Sequence, residues 1–307
     1  MTHLLMDKRL MMEWTVESDH HGLLLRDFIG LKGISKRGLT AIKYDGGGIF
    51  LNGEEVTVRR KVQSGDVISI YFPPETRSSS LISENTGLQV LYEDKWLIAV
   101  NKPAGMNTIP SRGAPKGSLA NALAGYYDHH QIEAGIHIAT RLDKDTSGVV
   151  LAAKYAHIHH LLSEMQKKNG INREYHAIAE GQIIENEGTI DQPISRDPSS
   201  IITRLVDTEG RRAVTHYKKI GTGCNHTMLS LTLETGRTHQ IRVHTSWLGH
   251  PLAGDDLYGG SCTFISRQAL HCHRLTFTHP VTNQNLDIMS EVPEDIYHLI
   301  KKTGMNG

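Results

Sequence analysis

Leu23, Leu24, Phe28, Ile29 and Leu31 recur at helical spacing and predict a helix with one apolar face. Ser35 then reads as the N-cap of a second short helix that buries Leu39 and Ile42. Beyond it the apolar residues gather into short strand-like runs. Ile49-Phe50-Leu51, Asn52-Gly53 and Glu55 to Val58 predict a tight hairpin, because Asn-Gly supplies the positive φ angles of a type I′ turn. Ser64-Gly65-Asp66 turns the chain into a last strand, Val67 to Phe72. Residues 14–73 therefore form a small α+β unit, preceded by a flexible segment, 1–13. Two prolines and Ser78-Ser79-Ser80 mark 74–87 as a linker.

From residue 88 to 307 the pattern is that of a larger unit. Leu88 to Tyr92, Leu97 to Val100 and Val149 to Ala153 are apolar strands. Ala156 to Asn169 reads as a helix, with Ile158, Leu161, Leu162 and Met165 on one face and Gly170 as its stop. Strands follow at Tyr175 to Glu180, Ala213 to Lys218 and Met228 to Leu233. Thr238 is placed to cap a helix running to about Leu248. Most strands are joined by turns, so the expected fold class is α+β, with mixed or antiparallel sheets and helices packed outside. There is no repeat.

The chain has 307 residues, enough to bury a full core in two domains. Apolar and charged fractions are those of an ordinary globular protein. No apolar run approaches the roughly 20 residues that span a bilayer, and the N-terminus lacks a signal-peptide pattern. Cys224, Cys262 and Cys272 are odd in number and widely spaced, which suits reduced thiols in a cytoplasm. A net charge of zero leaves any nucleic-acid signal to local patches.

Two polar runs carry the chemistry. Arg141-Leu142-Asp143-Lys144-Asp145-Thr146-Ser147-Gly148 puts carboxylates, cations and hydroxyls in one loop that feeds a strand. If that loop is extended, Asp143 and Asp145 point to opposite sides, so one faces a cleft while the other caps the turn. Thr235 to His244 supplies Arg237 and Arg242, cations of the kind a buried carboxylate needs. Lys32, Lys36, Arg37 and Lys43 occupy an interval without acids and suit either a phosphate backbone or a solvated basic face. Arg59-Arg60-Lys61 has the same ambiguity. Asp145-Thr146-Ser147-Gly148 is reminiscent of an aspartic protease, but it occurs once, beside charged residues. His239 with His244, and His271-Cys272-His273, lack metal-ligand spacing and a third ligand, so hydrogen-bonded core histidines are expected. No metal and no cofactor motif is found.

Taken together, the chain resembles the RluA-type pseudouridine synthases. The likeness rests on Leu91 to Asp94 with Val100 to Met106, on Arg141 to Gly148, on Arg173-Glu174-Tyr175, on Gly236 to His244 followed by Gly249 to Asp255 and Leu257-Tyr258-Gly259, and on Leu270-His271 to His279-Pro280. It covers about residues 88–295, in the family's order. The N-terminal unit resembles an S4-type RNA-binding domain, which favours the RNA reading of Lys32, Lys36, Arg37 and Lys43. Many relatives have His or Asn before the Arg-Leu-Asp; here it is Thr140, a departure with a bearing on substrate choice rather than on activity.

The resemblance implies a cofactor-free isomerase that cuts uracil from C1′ of its ribose, rotates it and rejoins it through C5. It makes Asp143 the essential carboxylate, acting either as a nucleophile or as a base on C2′. It makes Arg242 the neighbouring cation, whose fork can hold a carboxylate with two hydrogen bonds. Tyr175 is then expected to stack on the base and to help remove the C5 proton. A paired uridine must be flipped out, and Arg141 is the residue expected to fill its gap. Arg237 pins the loop or a phosphate, and Arg173 belongs to the same RNA-binding set. The implied partner is RNA, ribosomal RNA of the large subunit ahead of transfer RNA, with a monomer expected. The competing reading is an RNA-binding or ribosome-assembly factor with little catalysis.

Overall fold

The computed structural model describes residues 9–305. The N-terminal unit runs β1 (Met11–Thr15), α1 (Leu25–Leu31), α2 (Lys36–Tyr44), β2 (Gly48–Leu51), β3 (Glu54–Glu55) and β4 (Val67–Tyr71). Its sheet has the order β1-β4-β2-β3, and α1 and α2 bury Leu25, Phe28, Ile29 and Ile42. Ser35 caps α2, its hydroxyl accepting from the Gly38 N–H at 3.0 Å. Asn52 and Gly53 both have positive φ, as the hairpin requires. The first strand starts inside the segment expected to be flexible: Met11 to Glu13 are held by the ladder to β4, and residues 1–8 of that segment lie outside the described residues.

The larger part contains β5 (Gln89–Glu93), β6 (Leu97–Lys102), α3 (Leu119–His129), β7 (His137–Ile138), β8 (Ser147–Ala153) and α4 (Ala156–Lys167). It continues with β9 (Ile171–Glu180), β10 (Glu187–Asp191), β11 (Ile194–Arg196), β12 (Arg204–Val206), β13 (Val214–Gly223), β14 (His226–Leu233), α5 (Gln240–Trp247), β15 (Leu270–Thr278), β16 (Asn285–Met289) and α6 (Glu294–Lys302). A mixed ten-stranded sheet follows the order β10-β13-β14-β9-β15-β8-β6-β5, with β16 beside β15 and β7 beside β8. The fold class is the expected α+β.

The centre of this sheet positions the polar loops. β8 is buried along its whole length, so its apolar run has no polar alternation. It is antiparallel to β6 and meets β15 in parallel at His271 and Cys272. Gly148 makes that meeting possible: its φ is +118°, and a Cβ there would lie 2.2 Å from the Cys272 carbonyl oxygen. Cys272 in turn pairs with Tyr175 on β9. The loop ending at Gly148 is thereby set one strand away from the tyrosine.

The segment read as a linker carries no helix or strand from 72 to 88, yet it is no free spacer. Arg77 bridges Asp128 and donates to the Ala124 carbonyl (3.1 Å). Glu75 accepts from the Ala156 N–H at the start of α4 and pairs with His137 at 2.8 Å. The Phe72 ring stacks on His157 of α4 at 4.6 Å. One continuous apolar core runs from the N-terminal unit into the large sheet.

Candidate active site

Residues 143–146 form a tight turn, closed by the Thr146 N–H donating to the Asp143 carbonyl at 3.2 Å. This differs from the extended arrangement expected for Asp143 and Asp145. The turn is clamped from outside rather than by an Asp145 side-chain cap. Lys102, fully buried at the end of β6, donates to the carbonyls of Pro103 (3.0 Å), Met106 (2.7 Å) and Lys144 (2.9 Å). Burial lowers its pKa to about 8, while Asp145 and Asp143 nearby hold the charged form. Arg267 donates to the Asp145 carbonyl at 3.0 Å. The Thr108 hydroxyl pins Leu142 by both its N–H and its C=O. Thr140 is buried, its oxygen accepting from the Leu151 N–H at 2.9 Å.

The second polar run meets this turn from α5. Gln240 is buried and ties the run to β13 by donating to the Val214 carbonyl (2.9 Å) and the Thr215 hydroxyl (3.0 Å). Arg242 follows two residues on, and its Nη1 is 3.5 Å from Asp143 Oδ2. Its two-pronged contact, however, goes elsewhere: Nε and Nη2 donate to Asp255 Oδ2 and Oδ1, both at 2.7 Å. The bidentate grip expected for Asp143 belongs to Asp255, whose side chain is wholly inaccessible. Burial works against the guanidinium charge, and Asp255 outweighs it, so the Arg242 pKa rises. The Arg242 guanidinium also sits 4.9 Å from the centre of the Tyr258 ring.

His239, not Thr238, is the N-cap of α5, and it holds a left-handed φ of 57°. Its Nδ1 is 2.8 Å from the Tyr258 hydroxyl, which accepts from the Arg204 N–H at 3.0 Å. Burial keeps the imidazole pKa down. Its Nε2 faces Asp143 Oδ2 at 3.9 Å. Asp143 thus stands between a guanidinium and an imidazole.

Asp143, Tyr175, Arg242, Arg141, Arg173, His239 and Arg237 line a single cleft. Tyr175 forms part of its wall with only 5% exposure. Burial pushes its hydroxyl well above the ordinary phenol range, so it stays a neutral phenol. Arg141 is exposed at the rim, and Arg237 donates to the Arg212 carbonyl at 3.0 Å.

A family model described as RNA pseudouridylate synthase matches residues 96–247. Over 91% of this chain and 99% of the relative, the sequence is 45% identical to an uncharacterized RNA pseudouridine synthase of Bacillus subtilis, YjbO. The chain belongs to the RNA pseudouridylate synthase family. A ribosomal large subunit pseudouridine synthase D from Vibrio parahaemolyticus is 38% identical over 81% of each chain. The fold also matches the solved human RNA pseudouridylate synthase domain containing 4, with a TM-score of 0.60 and 21% identity over 71% of this chain and 94% of that one. The protein is an isomerase that acts on uridine in RNA.

Lys32, Lys36, Arg37 and Lys43 of this pseudouridine synthase lie outside the cleft, on the N-terminal unit. Lys36, Arg37 and Lys43 are exposed, and Lys32 folds over the Phe28 ring at 5.0 Å. His244 uses both ring nitrogens within the protein, on the Thr215 hydroxyl and the Gln192 carbonyl, each at 2.9 Å. His271 bonds Ser147 (3.0 Å) and the Ser290 carbonyl (3.3 Å). Among the described residues, the group with metal-ligand geometry is Glu17, Asp19 and His20, none of which lines the cleft. No helix among them is long and apolar enough to cross a membrane. Sequence reasoning missed the roles of Asp255, Tyr258, His239 and Lys102. The one signal for Asp255 was its place in the Gly-His-Pro-Leu-Ala-Gly-Asp run, which gave no hint of its partner.

Proposed function

We propose that this enzyme isomerises a uridine of large-subunit ribosomal RNA, with Asp143 as its essential carboxylate. The observation that carries the reading is the convergence of Asp143, Arg242 and Tyr175 in one cleft rimmed by Arg141, Arg173 and Arg237. The C1′–N1 bond breaks, the uracil turns, C1′ bonds to C5, and the C5 proton leaves as N1 gains one. Asp143 either bonds the substrate for the duration or takes a proton from C2′ and returns it. Arg242 and His239 flank the carboxylate at the reacting face, with Nη1 at 3.5 Å and Nε2 at 3.9 Å from Oδ2. A buried, neutral Tyr175 suits stacking on the uracil, worth about 1–3 kcal/mol per base, rather than proton abstraction. Arg141 at the rim is placed to fill the gap left by a flipped nucleotide. The name of the Vibrio parahaemolyticus relative supports a large-subunit ribosomal substrate. The exposed cations of α2 support an RNA-binding, S4-like role for residues 14–73.

The test is pseudouridine mapping of total RNA, by carbodiimide labelling and primer extension, in cells lacking the gene. One or a few large-subunit sites should vanish, return with the wild-type gene, and stay absent with Asp143→Asn although that variant still binds RNA. Sites lost from transfer RNA alone would replace the substrate. Full rescue by Asp143→Asn would move the RNA-binding factor ahead of the carboxylate mechanism.

A further inference from the structure

β11 and β12 stand apart from the large sheet as a separate two-stranded hairpin. Its turn is firmly built: Asp197 accepts from the Ser199 N–H (2.9 Å) and the Thr203 hydroxyl (2.7 Å), and the Ser200 hydroxyl oxygen accepts from the N–H groups of Ile202 and Thr203. The turn nonetheless presents Ile201 and Ile202 to solvent, 81% and 56% exposed. Two adjacent isoleucines held outward on a tied turn are an apolar feature with nothing to cover them among the described residues.

The groove beneath them is cationic. This groove, at the foot of the hairpin, is lined by Arg196, Arg204, Arg211 and Arg237 against the single acid Glu209. Arg237 also lines the catalytic cleft, so groove and cleft share one wall residue. The hairpin is tied down at both ends: the Ile194–Arg211 backbone pair closes its base at 2.9 Å in both directions, and at the turn end the Arg204 N–H donates to Tyr258, the partner of His239. An apolar tip above a groove lined by arginines complements one kind of surface. Stacked bases have apolar faces and are flanked by phosphates, and an inserted apolar side chain unstacks a step while the cations take up the backbone charge.

We propose that the Ile194–Val206 hairpin is an RNA-engaging arm: Ile201 and Ile202 wedge into the base stack beside the target uridine, and Arg196 and Arg211 take the flanking phosphates. The inference rests on the ribosomal RNA reading above and adds to it the device that opens the structured RNA for base flipping.

The test uses the full chain, its double variants Ile201→Ser/Ile202→Ser and Arg196→Gln/Arg211→Gln, and two probes. One probe is an unmodified, folded large-subunit ribosomal RNA transcript; the other is a short unpaired oligonucleotide carrying the mapped uridine. All substituted side chains except Arg196, which also donates to the Ile201 carbonyl, are free of side-chain partners among the described residues, and unchanged Tm verifies the fold. The isoleucine variant should lose about 10- to 100-fold in kcat/KM on the folded transcript and nothing on the oligonucleotide, because only the former must be unstacked. The arginine variant should flatten the plot of log binding constant against log salt by about 1.5 in slope. Variants that match an active wild type on both probes, in rate and salt slope, overturn the arm while leaving the isomerase reading intact. That result is also expected if the tip meets a protein or a membrane instead. A wild type that forms no pseudouridine in either probe overturns the ribosomal RNA reading, and the arm with it.

Discussion

Asp255 never needs to touch the substrate to be required for turnover. It is the acceptor for two prongs of the Arg242 guanidinium, both at 2.7 Å, in a setting with no solvent access to the carboxylate. Replacing it by Asn keeps the shape, removes the negative charge and turns one acceptor into a donor facing Arg242. Breaking a buried pair from one side costs about 3–5 kcal/mol, because the remaining charge is stranded. At a few degrees per kcal/mol for a chain of this size, Tm should fall by roughly 10 °C. The catalytic effect is separable from the loss of stability. Freed of Asp255, the Arg242 fork can turn toward Asp143, now 3.5 Å away through Nη1 alone, and draw the carboxylate from its reacting position. A misplacement of about 1 Å can cost on the order of 100-fold in rate. The assay is tritium release from RNA labelled at C5 of uridine, under single-turnover conditions well below the variant's Tm. Asp255→Asn should keep its affinity for RNA and lose turnover. The double variant Asp255→Ala/Arg242→Met should recover much of the stability, since it removes both buried charges, and none of the rate. Wild-type turnover by Asp255→Asn at a matched fraction folded would refute the claim that Asp255 orients Arg242 for the proposed chemistry.

Two further outcomes follow from buried groups. Lys102→Met should strand the carbonyls of Pro103, Met106 and Lys144 and cost about 3 kcal/mol, with a fall in kcat beyond what thermal melting explains, because Lys102 holds the Asp143 turn. A melt-corrected kcat equal to wild type would sever Lys102 from the turn. His157 is buried against Phe72, and burial lowers its pKa to about 4 from the ordinary 6.5. Its folded pKa lies below its unfolded one, so the unfolded state binds the proton first. Its contribution is intact above about pH 6.5 and is lost as pH falls toward about 4, by up to about 3 kcal/mol. His157→Phe keeps the stack and should flatten the acid limb of stability against pH, measured by urea unfolding; an unchanged acid limb would show that His157 titrates freely.

What the sequence reveals follows from where the determining interactions lie. α2, the Asn52-Gly53 hairpin and α4 are legible because cap, turn and apolar stripe are local. α3 is not, because it is buried nearly all round: Leu119 to Gly125 carry no polar face to set a period, and its capping box uses Asn121 rather than an acid. β15 hides for another reason, since its imidazoles and Arg274 break the apolar run that marks a strand. Thr238 looks like a better cap than His239, and loses because the loop is shaped for the site: His239 takes a left-handed backbone and a contact with Tyr258.

The same division separates the parts of the proposed catalytic centre. Asp143 and the arginines stand in polar runs whose residue types point to chemistry, while Tyr175, and Arg242 among the arginines, are singled out by the family resemblance. Their partners cannot be named from the chain alone. Asp255 meets Arg242, and Lys102 meets the Lys144 carbonyl, only after the sheet has closed. A lone carboxylate in a motif fits a structural turn as well as a catalyst. Asp143 is distinguished by what lies around it: a turn gripped through its backbone by a buried lysine and an arginine, so that the side chain is left for the substrate. The clamp on the main chain frees the carboxylate, and the arginine that faces it is itself fixed by a second carboxylate rather than by Asp143. If the arginine were held by Asp143 alone, the ion pair would have to loosen whenever the carboxylate bonded or protonated. With Asp255 as its anchor, the arginine keeps its place whichever of the two roles Asp143 takes.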